Sequence, residues 1–181
     1  MSTYLMLAGL PGTGKTTLAQ ALVERLNAVA IDKDRVRAAL FPGAATDYTA
    51  AQNSLCMDAM LSAAEYLVTH QQPQYIIFDG RTFSRAAQIE QVIAAAKKVG
   101  ARWAIIVLEC SEAVARQRLA LNASKHPAHD RNISLYLRIK SEFEPIVRPA
   151  LRVDTSDGVG QILPTVLEFL LEQAEEQGEQ I

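Results

Sequence analysis

Short apolar runs alternate along the chain with longer stretches in which apolar residues recur every three or four positions. An apolar run of about four to eight residues is typical of a buried strand, and the longer period is typical of an amphipathic helix. The short runs predict strands at Thr3–Ala8, Ala28–Ile31, Tyr75–Phe78, Trp103–Leu108 and Leu151–Asp154. The periodic stretches predict helices at Thr16–Leu26, Lys33–Phe41, Ala50–His70, Glu112–Leu121, Ile133–Phe143 and Ile162–Gln173, with a further helix that Ser84 caps and Gly100 ends.

The order of these elements predicts an α/β fold. Continuous apolar strands that alternate with helices are typical of a parallel sheet whose two faces are both covered by helices. We therefore expect a three-layer α/β/α sandwich around a five-stranded parallel sheet. Ligands bind such sheets at the carboxyl ends of the strands, and polar clusters of this chain follow the first three predicted strands.

The first polar cluster is a glycine-rich segment between a predicted strand and a predicted helix. Its sequence, Gly9-Leu-Pro-Gly-Thr-Gly-Lys-Thr16, fits the P-loop pattern of NTPases. Glycines let successive N–H groups point at phosphate oxygens, the lysine neutralises the β- and γ-phosphates, and the threonine hydroxyl binds Mg²⁺. The pattern predicts ATP and Mg²⁺ as cofactors, with nucleotide contacts from Gly9, Pro11, Gly12, Thr13, Gly14, Lys15, Thr16 and Thr17.

The third predicted strand, Tyr75–Phe78, is followed directly by Asp79. An apolar strand that ends in an acid has the form of a Walker B element, whose carboxylate holds Mg²⁺. The alternative is an aspartate that makes a turn with Gly80. Because the P-loop already predicts a nucleotide site, we favour the metal role.

The second predicted strand ends in a cluster of charged residues. Asp32 and Asp34 follow it closely, and Asp34 and Arg37 are spaced so that their side chains share one face of a helix. A carboxylate at this place can deprotonate an acceptor hydroxyl, and the guanidinium can hold the acceptor or stabilise developing charge. For each aspartate the alternative is a cap on the helix that follows.

These three features together resemble the small P-loop kinases. That group includes shikimate and gluconate kinases, chloramphenicol phosphotransferase, zeta toxins and polynucleotide 5′-kinase, and the chain is most similar to the group's predicted ATP-binding kinases. The resemblance implies that Asp34 is the general base, that Arg37 is a cation at the acceptor or the transition state, and that Asp32 and Asp79 serve the metal.

The same resemblance extends to the segment Asp79-Gly-Arg-Thr-Phe-Ser-Arg85. It implies an acceptor pocket lined by Arg81, Thr82 and Phe83, and an adenine pocket near Asp154-Thr155-Ser156.

Kinases keep water away from the reacting phosphoryl group by closing a lid over the site. Residues 116–134 resemble the lid of the family, and Arg116 and Arg118 are expected to meet the nucleotide. The family pattern often has a further arginine where this chain has Asn122, so the identity of the lid arginine stays open, with Lys125 and Arg131 as candidates.

The composition of the chain excludes several classes of protein. Its 181 residues form one predicted domain, and 18 basic against 20 acidic residues argue against a broad nucleic-acid surface without excluding a local basic cleft. The longest purely apolar run, Trp103–Leu108, is too short to span a bilayer. We expect a cytoplasmic monomer or homodimer.

The sequence therefore predicts an ATP-dependent phosphotransferase that moves the γ-phosphoryl group to a hydroxyl of a small-molecule acceptor. Two alternatives remain: a polynucleotide or nucleotide-sugar kinase, and a nucleotide-dependent switch ATPase without a small acceptor. A GTPase is disfavoured because the chain has no Asn-Lys-x-Asp guanine-reading motif.

Overall fold

Five parallel strands form one sheet in the computed structural model, which describes residues 1–122 and 133–176. The spatial order of the strands is β2-β3-β1-β4-β5. Every neighbouring pair is parallel, as expected where helices connect successive strands. The strands are β1 (Thr3–Ala8), β2 (Ala28–Asp32), β3 (Tyr75–Asp79), β4 (Arg102–Glu109) and β5 (Leu151–Asp154).

Helices cover both faces of this sheet, so the predicted α/β/α sandwich is confirmed. The described helices are α1 (Lys15–Arg25), α2 (Lys33–Leu40), α3 (Ala50–His70), α4 (Ala86–Lys98), α5 (Glu112–Asn122), α6 (Ile133–Glu142) and α7 (Val159–Glu176).

The last helix begins earlier than the predicted Ile162. Val159 packs against the P-loop glycine Gly14, a contact between distant parts of the chain that sequence periodicity does not reveal.

The two faces of the sheet bury separate apolar cores. On one face, α3 and α4 supply side chains such as Met60 and Val92, which pack on Met6 and Phe78 of the sheet. On the other face, α1 and α7 pack their apolar sides on alternate strand residues, namely Leu5, Leu7, Ile77 and Ile106. Because both faces are covered, β1, β3 and most of β4 are buried, and the loops at their carboxyl ends have a fixed base.

The start of α4 differs from the prediction that Ser84 caps it. The helix begins at Ala86, and its N-terminal backbone is capped by Glu144, whose Oε2 accepts a hydrogen bond of 2.7 Å from the Ala86 N–H. This bond, together with the Arg85 side chain that pairs with the same carboxylate, lowers the pKa of Glu144. Glu144 lies far along the chain, so only the folded structure brings this cap into place.

The predicted lid, residues 116–134, includes most of α5 and the first residues of α6. Residues 123–132, including Lys125 and Arg131, lie outside the described residues. In the described part of this region, Leu10 of the phosphate loop packs against a small apolar cluster of Ala115, Leu119 and Tyr136 from α5 and α6. Among the described helices, none has the length and apolar character needed to cross a bilayer.

Candidate active site

The phosphate loop leaves β1 at the middle of the carboxyl edge of the sheet, since β1 lies between β3 and β4. Three of its glycines have positive φ angles: 139° at Gly9, 84° at Gly12 and 90° at Gly14. Left-handed residues among right-handed ones make successive N–H groups converge into an anion-binding concavity. The first turn of α1 follows directly, and the unpaired amides and positive dipole end of a helix N-terminus add to that concavity.

We expect Gly9→Ala to disrupt the loop, because a Cβ at this position would lie 2.3 Å from the Leu108 carbonyl oxygen of the neighbouring strand. Neither backbone can move without disturbing the sheet, so we expect a loss of about 3 kcal/mol or more in unfolding free energy, together with loss of ATP binding. Gly100→Ala is the matched control, because Gly100 also has positive φ but has open space around it. Urea unfolding and calorimetric ATP titration measure both effects, and equal stability of the two variants would contradict the assignment.

Lys15 lies at the start of α1 with its side chain buried within the loop. Its Nζ donates hydrogen bonds to the carbonyl oxygens of Gly9 at 2.8 Å and Leu10 at 2.7 Å. The ammonium group is therefore held at the mouth of the loop, where it also lines the large cavity described below. Thr17, in the same helical turn, is exposed to solvent.

Asp79 ends β3 beside the phosphate loop, and its side chain is buried. Thr16 and the Gly80 N–H donate hydrogen bonds to it, yet within the described residues its Oδ1 has no hydrogen-bond partner. Burial raises the pKa of Asp79, and the nearby carboxylate of Asp32 raises it further. A buried carboxylate oxygen without a partner, beside a threonine hydroxyl, matches the oxygen-only ligands that Mg²⁺ prefers, so the residues present fit a magnesium ion.

Asp32 is the register partner of Asp79 across β2 and β3. Its Oδ1 caps α2 by accepting hydrogen bonds from the N–H groups of Asp34 and Arg35, at 2.8 and 3.3 Å. The capping alternative therefore holds for Asp32. The cap uses Oδ1, and Oδ2 lies 3.9 Å from Nε of the exposed Arg35 side chain. The metal role of Asp32 stays a prediction.

Asp34 does not cap the helix but forms a buried ion pair with Arg37, in which Arg37 Nη1 lies 2.8 Å from Asp34 Oδ1. Arg37 also donates a hydrogen bond to Asn53 of α3 and lies over the ring of Tyr48, 4.9 Å from its centroid. These contacts fix the carboxylate and the guanidinium on one wall of a cavity. The spacing of Asp34 and Arg37 in the sequence predicted that they would share a helix face, and they do.

A cavity of about 590 Å³ lies between the phosphate loop, α2, α3, the segment after β3, and α6. Its wall includes Lys15, Asp34, Arg37, Arg81 and Thr82. The residues predicted to act on the phosphoryl group and those predicted to bind the acceptor therefore meet at one place. Phe83 is not among the described residues of this wall. It is fully buried in the core beneath α4, so it would not contact an acceptor in the cavity.

The two predicted lid arginines have different surroundings. Arg118 Nη2 donates to the Thr155 carbonyl oxygen at 2.6 Å, and its Nη1 approaches Thr155 Oγ1 at 3.2 Å and the Gly12 carbonyl at 3.4 Å. Arg118 therefore joins the phosphate loop to the segment after β5, the predicted adenine region. Arg116 instead forms an ion pair with Glu112, one turn earlier on α5, and its side chain is about half exposed.

Several residues of the site were not predicted from the sequence. Arg138 of α6 lines the cavity, and Asn53 accepts hydrogen bonds from both Lys33 and Arg37. Thr155, predicted as part of the adenine region, is fully buried, and its hydroxyl donates to the Thr13 carbonyl oxygen at 2.9 Å. Neither Arg138 nor Asn53 follows a strand in a recognisable motif, although the helical period of 133–143 places Arg138 one turn from Leu135 and could have indicated a shared face.

Comparisons with known proteins agree with this geometry. The sequence profile of the family AAA_33, described as an AAA domain, matches residues 5–146. No curated protein sequence matches the chain.

Solved structures share the fold over nearly the whole chain. A gluconokinase from Sinorhizobium meliloti 1021 aligns with a TM-score of 0.70 at 17% identity, covering 98% of this chain and 97% of that protein. A Chloroflexus aurantiacus protein with a provisional kinase assignment aligns with a TM-score of 0.70 at 21% identity, over 94% and 97% of the two chains. The Mycobacterium tuberculosis APS kinase CysC, solved with AMPPNP and APS, aligns with a TM-score of 0.64 at 16% identity, over 94% and 98%.

Identities of this size show a common fold and no more. The family profile, however, spans the phosphate loop, both strand-end aspartates and the helices α5 and α6. Those are the elements whose geometry forms the site described above. The chain therefore belongs to the AAA_33 family, and its resemblance to the small P-loop kinases is confirmed.

Proposed function

We propose that this protein is an ATP-dependent phosphotransferase that moves the γ-phosphoryl group to a hydroxyl of a small-molecule acceptor. The observation that carries the proposal is the cavity that joins the phosphate-loop lysine, Lys15, to the buried Asp34–Arg37 pair. A bare ATPase needs a water near the γ-phosphate but needs no walled space beyond it. A kinase needs such a space for its second substrate.

In the proposed reaction the acceptor hydroxyl oxygen attacks the γ-phosphorus. The bond between that phosphorus and the β,γ-bridging oxygen breaks, ADP leaves, and the hydroxyl proton passes to the carboxylate of Asp34 and then to solvent. Asp34 suits this role because its hydrogen-bonded ion pair with Arg37 holds the carboxylate in one orientation. Positioning supplies most of the rate in phosphoryl transfer, because the transition state makes few covalent demands on the protein.

Three other features support the transfer. Arg37 lies beside Asp34, the proposed base. Its guanidinium would stabilise negative charge on the γ-phosphoryl group during transfer, as arginines do in other phosphoryl-transfer enzymes. Thr16, Asp79 and Asp32 would hold Mg²⁺, which neutralises charge on the phosphates when bound. The lid helices pack on Leu10 and so are placed to exclude water from the loop.

The different surroundings of the two lid arginines give a test of the nucleotide site. We expect Arg118→Gln to raise the KM for ATP by about tenfold, because a fork of charge-assisted hydrogen bonds between the phosphate loop and the segment after β5 is lost. Arg116→Gln is the matched control and should change the KM by less than about twofold, since an exposed ion pair contributes little. Steady-state ATP kinetics compare them, and the reverse order of effects would contradict the placement of Arg118.

A screen of ATP consumption tests the function itself. Purified protein with Mg²⁺ and ATP is incubated with small hydroxylated metabolites, aminoglycosides, nucleosides and 5′-hydroxyl oligonucleotides. A kinase consumes ATP slowly alone and rapidly with its acceptor, and the product carries the new phosphate. Stimulation only by oligonucleotides would favour a polynucleotide kinase. No stimulation by any acceptor, together with nucleotide-dependent capture of a protein partner, would favour a switch.

A further inference from the structure

The cavity is strongly cationic. Within the described part of the chain, its wall holds two carboxylates, Asp34 and Glu142, and the following cations: Lys15, Lys33, Arg37, Arg81 and Arg138. Net positive charge in a walled cavity favours an anionic occupant, because the low-dielectric walls strengthen each charge interaction.

Part of this charge already has a role. Lys15 faces the phosphates of the nucleotide, and Arg37 pairs with Asp34. Of the two carboxylates, Glu142 pairs with Arg85, whose Nη2 lies 2.7 Å from Glu142 Oε2. Glu142 therefore neutralises little of the positive charge in the cavity. Lys33 and Arg81 therefore add positive charge at the acceptor side of the cavity.

Arg81 is the most informative of these residues. It follows the strand-end aspartate of β3, and its Nη1 is buried without a hydrogen-bond partner among the described residues. A buried donor on a charged group costs free energy unless something accepts its hydrogen bond, and an anionic ligand in the cavity would do so.

Lys33 lies in the same electrostatic environment. Its Nζ donates to Asn53 Oδ1 at 3.2 Å, the same oxygen that accepts from Arg37. Lys33 and Arg37 thus share one neutral amide oxygen, and Arg81 lines the same cavity. An anion bound between Lys33 and Arg81 would be attracted by both positive charges.

We propose that Arg81 and Lys33 form a subsite for an anionic group of the acceptor, so that the substrate is a small hydroxyl compound that also carries a carboxylate, phosphate or sulfate. This inference rests on the proposed function, because it assumes that the cavity receives the acceptor. Arg81 would anchor the anionic group, and the hydroxyl would then be presented to Asp34. Specificity for a charged acceptor follows, since a neutral analogue leaves the buried donor unpaired.

A binding experiment tests the subsite without knowledge of the acceptor. The protein is first saturated with Mg²⁺ and AMPPNP, so that the phosphate loop is filled, and is then titrated by calorimetry with sulfate, malonate and glycerol 3-phosphate. We expect the wild type to bind at least one of them, and Arg81→Gln to weaken that binding by about tenfold or more. Arg25→Gln, which removes an exposed arginine of α1, should change nothing. Absence of binding by all three anions to the wild type would overturn the proposal.

A kinetic experiment separates this subsite from the proposed function. Matched pairs are offered as acceptors: a sugar phosphate and its parent sugar, a hydroxy acid and its amide, and a nucleoside monophosphate and its nucleoside. We expect phosphorylation of the anionic member of a pair, and a KM for it that rises by about tenfold or more in Arg81→Gln while the KM for ATP stays within about twofold. The pair that reacts identifies the anionic group.

The outcomes of this experiment are distinct. Equal use of charged and neutral acceptors, unaffected by Arg81→Gln, would refute the subsite and leave the kinase function standing. An equal rise in the KM for ATP would assign Arg81 to the nucleotide and would also refute it. If no acceptor of any charge accelerates ATP consumption by the wild type, the proposed function itself fails.

Discussion

Lys15→Ala is expected to remove detectable phosphoryl transfer, with kcat/KM for ATP falling by about a hundredfold to a thousandfold. The Lys15 ammonium is buried inside the phosphate loop and is fixed there by two carbonyl oxygens. Its charge is therefore positioned before the nucleotide binds, and little reorganisation is needed as negative charge shifts on the γ-phosphate. Alanine retains the helix but supplies no charge.

Two measurements make this result specific. Lys98→Ala, which removes an exposed lysine of α4 that pairs with Glu65, should retain wild-type turnover. Thermal unfolding of both variants should stay close to that of the wild type, which would show that loss of activity is not loss of fold. Wild-type ATP turnover by a folded Lys15→Ala protein would refute the assignment of the phosphate loop.

Asp34→Asn is expected to preserve ATP affinity while lowering phosphoryl transfer to the true acceptor by about a hundredfold to ten-thousandfold. The substitution keeps the size of the side chain, and its amide oxygen can still accept a hydrogen bond from Arg37. Arg37 also keeps its contacts with Asn53 and Tyr48. The local wall of the cavity should thus survive, whereas the group that accepts the hydroxyl proton does not.

ATP affinity provides the internal control for this variant, because a collapsed site would lose both properties. Calorimetric titration with Mg²⁺ and ATP measures the first, and single-turnover transfer to the identified acceptor measures the second. Full transfer by Asp34→Asn would show that another group takes the proton. A parallel loss of ATP affinity would show instead that the buried pair with Arg37 is needed to hold the loop.

The sequence predicted the strands, most helices and the phosphate loop because each depends on interactions close along the chain. The loop is one continuous segment, and its glycines, lysine and threonine act within a few residues of each other. The pairing of Asp34 with Arg37 was also predictable, because the two residues lie one turn apart on α2. Parallel pairing then followed from the alternation of strands and helices.

Long-range contacts account for what the sequence could not predict. Ser84 was a reasonable helix cap by local rules, but Glu144 takes that role from the far side of α6. Arg116 and Arg118 look equivalent in the sequence, yet the packing of α5 on the phosphate loop brings only Arg118 to Thr155, a residue distant along the chain. Arg116 instead pairs with Glu112 one turn earlier on the same helix, so the packing of α5 decides which of the two arginines reaches the site.

What the sequence alone determined, then, is the nucleotide half of this protein: a loop whose local pattern fixes its backbone shape and therefore its chemistry. In the proposed acceptor half, Arg81 was expected from the family resemblance. Its neighbours Lys33, Asn53 and Arg138 were decided by the tertiary structure, because they come from three separate helices that meet only when the sheet and its helices pack. The net charge of that cavity comes from residues that are distant in sequence. No local pattern predicts this net charge, and so the proposed class of acceptor, an anionic hydroxyl compound, could be inferred only from the folded chain.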